Sequence, residues 1–118
     1  MAVFLGICLG GALGAMLRGW LTHLGPRRAP WGTLGVNWLG SALFGVLLVV
    51  GGGLPPWLFA AAGVGLCGAL TTFSTALVEA AQWWRADLPA RALAYLGATV
   101  GGSVGLILLA VKLGHNLP

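Results

Sequence analysis

Charge is what this sequence has least of. Among 118 residues, six are Lys or Arg and two are Asp or Glu, together 7%, against about 25% in an ordinary soluble domain. A chain of this length cannot build a core large enough to hide a 58% apolar content, so the excess must face lipid. Cysteine is scarce as well. Cys8 and Cys67 both fall inside apolar runs, without the spacing of a zinc or redox motif, and read as small buried hydrophobes. Catalytic groupings are also missing: His23 and His115 stand at the ends of runs, the acids are single, and no nucleophile sits beside a base. The sequence therefore carries no enzyme signal. Its net charge of +4 contains no basic run, and its cations flank the apolar stretches. That is the pattern of membrane orientation rather than of nucleic-acid binding.

What the chain does have is long apolar runs. A helix needs about 20 apolar residues to cross a hydrocarbon layer about 30 Å thick. Prolines and charges divide the sequence into four such runs, predicted at 2–21, 31–50, 57–84 and 91–113 of a single transmembrane domain covering 1–118. The polar stretch His23, Pro26, Arg27, Arg28 and Pro30 closes the first. The runs are continuous rather than alternating, which favours helices over barrel strands. The first has no basic stretch ahead of it and is too long for the apolar part of a secretory leader, so it is expected to be a retained helix.

Much of the glycine recurs at every fourth position: Gly6, Gly10 and Gly14 in the first run, Gly97, Gly101 and Gly105 in the fourth. Each set lines one helix face, where backbones can pack closely within a bundle or a dimer. Polar residues show the same spacing. Thr33, Asn37 and Ser41 form a stripe on the second run, and Tyr95, Thr99 and Ser103 a stripe on the fourth. A lone Ser or Thr in a membrane helix usually bonds back to a carbonyl one turn earlier. Two matched stripes point further, because hydroxyls and amides can donate to an anion that sheds its water without holding it as tightly as Lys or Arg would.

The third run contains Gly63-Val64-Gly65-Leu66-Cys67-Gly68-Ala69-Leu70-Thr71-Thr72-Phe73-Ser74-Thr75. Its glycines and hydroxyl residues make a poor continuous helix, and the run is longer than one crossing needs. A break between Gly68 and Phe73 satisfies both facts. Unwound backbone at that depth must be enclosed by protein or water, and its free carbonyls can coordinate a cation. A plain glycine kink is the simpler alternative.

Three blocks carry a family resemblance: Gly10-Gly11-Ala12-Leu13-Gly14-Ala15-Met16-Leu17-Arg18, Gly32-Thr33-Leu34-Gly35-Val36-Asn37-Trp38-Leu39-Gly40, and Gly68-Ala69-Leu70-Thr71-Thr72-Phe73-Ser74-Thr75. With the four spans, the chain resembles the Fluc (CrcB-type) fluoride channels over essentially its whole length, the third block being the most specific. The resemblance implies an all-α membrane protein with a broken third helix, working as an antiparallel dimer in the cell's inner (plasma) membrane. It implies two fluoride pathways per dimer, lined by Thr33, Asn37, Phe73, Ser74, Thr75, Tyr95, Thr99 and Ser103. It implies a structural sodium ion on the backbone carbonyls of Gly68 and Thr71, with Arg18 and Glu79 in vestibule or structural roles. An aromatic ring edge is the positive end of its quadrupole, which suits Phe73 to an anion. The chain departs from the family at Ala76, where a second Phe is usual. A pathway that relies on a ring there loses it, or takes its aromatic from another chain.

The partner is either a second copy or a related chain inserted the other way up. Arg18, Arg27, Arg28, Arg85 and Arg91 would share one side and Lys112 the other, an imbalance that favours one orientation with the first and third loops in the cytoplasm. Family habit favours the homodimer. Two other functions fit four short spans. A small multidrug-type cation/proton exporter needs a carboxylate in the membrane, usually in its first helix, and this first run has none. The other is a non-conducting structural subunit.

Overall fold

The computed structural model describes residues 1–24 and 30–116. Pro26, Arg27 and Arg28, which close the first run and weigh in the orientation argument, lie outside the described residues. Among those described, four helical segments are long and apolar enough to cross a membrane: Ala2–Leu24, Trp31–Gly53, Pro56–Arg85 and Pro89–His115. The protein is an all-helical, multi-pass membrane protein. Its large side chains look outward on every helix, Phe4, Trp20, Val64, Phe73, Leu93 and Leu108 among them, as a lipid-facing surface requires.

Helix α1 is Ala2–Leu24 and outruns its predicted end. The Thr22 hydroxyl donates back to Arg18 O at 2.8 Å, so the polar end stays helical without needing an outside partner. Helix α2, Trp31–Val50, matches the predicted bounds and passes through a short 3₁₀ turn, Gly51–Gly53, into extended Leu54 and Pro55. The third span is two helices. Segment α3 (56–70) begins with Pro56 in the first turn, where its missing N–H costs nothing. It widens to π geometry over Ala61–Cys67, with the Gly68 N–H reaching Gly63 O, five residues back. Helix α4 is Phe73–Arg85. It ends in a Schellman turn, in which Leu88 N–H donates to Trp83 O at 2.9 Å and Asp87 N–H to Trp84 O at 3.3 Å. Asp87 takes the left-handed position at φ 56°, and Pro89 opens α5, Pro89–His115.

Packing follows the small residues. Gly6, Gly10 and Gly14 are buried, and α1 lies against α3 so closely that a Cβ on Gly6 would stand 2.8 Å from Trp57 O and one on Gly10 would overlap the Ala61 carbonyl. The first glycine stripe thus packs inside the chain. The fourth-span stripe does not: a Cβ on Gly97, Gly101 or Gly105 meets nothing within 4 Å. On α5 the close approaches fall instead at Gly102, against the Trp38 indole, and at Gly114, against Val49. Helices α2, α4 and α5 share a small core of Leu34, Ala76, Ala80, Ala92 and Tyr95.

Candidate functional site at the helix break

The break is two residues long. Thr71 (φ −81°, ψ 151°) and Thr72 (φ −151°, ψ 112°) are extended between α3 and α4. Before it, the chain still bonds as a helix, with both the N–H and the hydroxyl of Thr71 donating to Cys67 O at 3.1 Å. After it, the Thr72 hydroxyl caps α4 by accepting from Thr75 N–H at 3.4 Å and lies 3.0 Å from the Thr75 hydroxyl. Between them Thr72 N–H has lost its helical acceptor. Asn37 fills the gap: its Oδ1 accepts from Thr72 N–H at 2.6 Å while its Nδ2 donates to Thr72 O at 3.0 Å. Gly40, three residues on, leaves room beneath the neighbouring residue, since a Cβ there would lie 2.5 Å from Thr71 Cγ2. From α1, Arg18 Nη1 donates to Thr71 O at 3.4 Å.

One turn before Asn37, the Thr33 hydroxyl donates to Glu79 Oε1 at 2.8 Å, and from α5 the Tyr95 hydroxyl donates to Glu79 Oε2. A carboxylate inside a span is tolerable only with such donors. Tyr95 is itself fixed, its ring 5.4 Å from Trp83 at 76°, edge to face. Arg91 lies over the same Trp83 ring, 5.9 Å from its centroid.

The structure therefore joins Thr33, Glu79 and Tyr95 into one polar seam between α2, α4 and α5, with Asn37 one turn further along α2 and bonded to Thr72 instead. Thr33, Asn37 and Ser41 are all buried, which makes the predicted stripe real. On α5, Tyr95 and Thr99 are buried and Ser103 half-buried. The Thr99 hydroxyl donates to Tyr95 O at 2.8 Å, the ordinary back-bond of a membrane helix. Phe73, Ser74 and Thr75 stand on the exposed side of the start of α4, outside the seam. Gly68 and Thr71 border an open groove of about 330 Å³, together with Gly40, Ser41, Phe44 and Gly63. Ala76, the position at which the resemblance implied a second Phe, is fully buried in the core with Tyr95 and leaves no space for a ring.

Sequence reasoning did not single out Thr72, although Thr is a favoured N-cap residue just before an apolar helix start. It also missed Trp83 and Trp38, whose indole N–H donates to Ala98 O at 2.9 Å. These partners lie across loops, and no local spacing announces them.

Groups of three or more His, Cys, Asp or Glu able to hold a metal are absent among the described residues. A cation at the break would rest on carbonyl oxygens. The oxygens there are of the hard type such an ion takes: Gly68 O accepts from the Thr71 hydroxyl at 3.4 Å and Thr71 O, which has left the helix, accepts from Arg18 at 3.4 Å, each keeping one lone pair.

A thin bundle of four membrane-crossing helices, with its polar groups gathered at a broken third span, defines a small multi-pass membrane protein with an intramembrane polar site. Residues 5–114 match the family model described as CrcB-like protein, Camphor Resistance (CrcB), and the chain belongs to that family. It is 45% identical over 117 residues to a protein of Psychrobacter cryohalolentis named "Fluoride-specific ion channel FluC", covering 94% of this chain and 92% of that one. A Bordetella parapertussis protein of the same name is 40% identical over 112 residues, 91% of this chain and 88% of its own. "Fluoride-specific ion channel FluC 2" of Thermobifida fusca is 40% identical over 108 residues, 86% and 80% of the two chains. These relatives are named as ion channels, not as enzymes.

Proposed function

We propose that the protein is a fluoride channel of the inner (plasma) membrane, exporting fluoride from the cytoplasm through an antiparallel dimer with two pathways. The observation that carries this reading is the seam itself. Its hydroxyl donors, Thr33 and Tyr95, reach the two oxygens of Glu79, one each, which sets directional hydroxyl donors on one buried face at membrane depth, the kind of group for which a small anion can exchange its water. The names of the relatives support the same ion. Phe73, Ser74, Thr75, Thr99 and Ser103 extend the proposed route, Phe73 from the exposed side of α4, where a second chain would meet it.

The dimer pairs this chain with a second copy or with a related chain of opposite orientation. In either case the carbonyls of Gly68 and Thr71 would hold a structural sodium ion, whose charge would draw the broken helices together. A proton-coupled cation exporter is less well supported, because the carboxylate of Glu79 is occupied by two hydroxyls and α1 carries no acid.

The test is ion efflux from liposomes holding the purified protein. Rapid fluoride efflux with chloride efflux near that of empty liposomes is expected. Equal efflux of both ions would defeat the reading.

A further inference from the structure

Away from the helix break, a groove of about 500 Å³ lies between the first turns of α2 and α5, beside the end of α4. Its rim and its interior differ in chemistry. Trp31, Trp83 and Arg91 stand at the rim, and Leu34, Ala94 and Ala98 continue inward along the two helices. Arg91 sits in the first turn of α5, at the depth of a lipid headgroup, whereas Ala98 is two turns on, about 10 Å into the span at 1.5 Å per residue. Ala94 and Ala98 share one face of α5, and their small side chains leave the trough open. At its inner end the Trp38 indole crosses from α2 and donates to Ala98 O at 2.9 Å, tying the two helices together.

We propose that this groove binds one anionic phospholipid, with its phosphate on Arg91 and an acyl chain lying along Ala94 and Ala98. Arg91 is exposed, and its guanidinium lies over the Trp83 ring, 5.9 Å from the centroid. That contact takes one flat face of the cation and leaves the N–H fork at its edge, where a phosphate can accept two parallel hydrogen bonds. The interior suits a chain rather than a second polar group. Tyr95 also lines it, but its hydroxyl is committed to Glu79, and Leu34, Ala94 and Ala98 are apolar. A choline lipid fits less well, because its cation seeks an aromatic face and Arg91 already covers that of Trp83. Free phosphate lacks the chain that the trough would cover. The site is separate from the helix break, and nothing in its chemistry depends on which ion the protein carries.

The test is native mass spectrometry of the full-length protein in detergent, titrated with phosphatidylglycerol or with phosphatidylcholine of the same chains. The wild type should retain one phosphatidylglycerol per chain in preference to phosphatidylcholine. Arg91→Gln should weaken phosphatidylglycerol binding about fivefold, the effect of one cation close to an anionic lipid, and leave phosphatidylcholine binding little changed. Ala94→Leu keeps the cation and fills the trough at an exposed position, so it should weaken phosphatidylglycerol binding as well. Arg85→Gln removes a cation from the last turn of α4 that does not line the groove, and should leave binding as in the wild type. Equal retention of the two lipids by the wild type would overturn the proposal. So would an Arg85→Gln effect as large as that of Arg91→Gln, which would mean attraction to surface charge alone, or unchanged binding in Ala94→Leu, which would mean that no chain enters the trough. Displacement of the lipid by millimolar inorganic phosphate would reveal a plain anion site and would overturn it too.

Discussion

Removing the Tyr95 hydroxyl tests the seam with little disturbance to packing. Tyr95→Phe keeps the ring against Trp83 at 5.4 Å and within the core of Leu34, Ala76, Ala80 and Ala92, and deletes only the O–H that donates to Glu79. Hydrogen bonds between membrane helices average about 0.6 kcal/mol in double-mutant cycles, with a maximum near 1.7. The coupling between Tyr95 and Glu79 is therefore expected at about 0.6–1.7 kcal/mol, a factor of about 3–18 in the folded-to-unfolded ratio. The assay is reversible unfolding in mixed detergent of the wild type, Tyr95→Phe, Glu79→Gln and the double variant. Fluoride efflux should fall in Tyr95→Phe as well, because the route loses a donor. Single-variant effects that add to within about 0.3–0.5 kcal/mol would mean the two side chains do not interact, and the reasoning about the seam would fail.

A glycine pair separates contacts within the chain from contacts outside it. Gly10→Val should prevent the close approach of α1 and α3 and cost at least about 1–3 kcal/mol, as overpacking does, whereas Gly97→Ala, with open space around it, should leave the unfolding of a single chain unharmed. Detergent unfolding of both variants checks this, and equal destabilisation would contradict the packing described. Ala76→Phe should likewise destabilise the protein by about 1–3 kcal/mol and fail to raise fluoride efflux, because position 76 is fully buried. A stable variant with faster efflux would show that the ring reaches the pathway after all.

The legible parts of this fold were those set by spacing along one helix. Gly6, Gly10 and Gly14 marked the face of α1 that meets α3, and Thr33, Asn37 and Ser41 marked the buried face of α2, because a four-residue period on a helix is a face whatever lies opposite. The break was legible as a region, since glycine and hydroxyl residues between Gly68 and Phe73 weaken a helix. Its reduction to Thr71 and Thr72 was not legible, because it depends on Asn37, 35 residues away. The Glu79 seam was hidden for the same reason, Thr33 being 46 residues from its partner. The π turn over Ala61–Cys67 escaped notice too. There Gly63 and Gly65 let α3 run close to Phe44 and to the Ile7 carbonyl, at 3.3 and 2.8 Å from their would-be Cβ atoms, and only the assembled bundle sets such approaches.

The fourth-span glycines carry the remaining step. The rule that predicted close packing for Gly6, Gly10 and Gly14 applied equally to Gly97, Gly101 and Gly105, yet only the first set has neighbours within the chain. Small residues at helical spacing indicate that a close approach is sterically possible, and the partner must come from elsewhere in the sequence or from outside it. Helix α1 meets its partner in α3. On α5 the contacts with α2 are made at Gly102 and Gly114, so the face bearing Gly97, Gly101 and Gly105 remains open, as do Gly68 beside the break and the ring of Phe73. The surface left over by folding thus gathers the residues for which the proposed dimer has a use, and a single chain supplies no other reason for glycine at Gly97, Gly101 and Gly105, where alanine would favour the helix by about 1 kcal/mol per position.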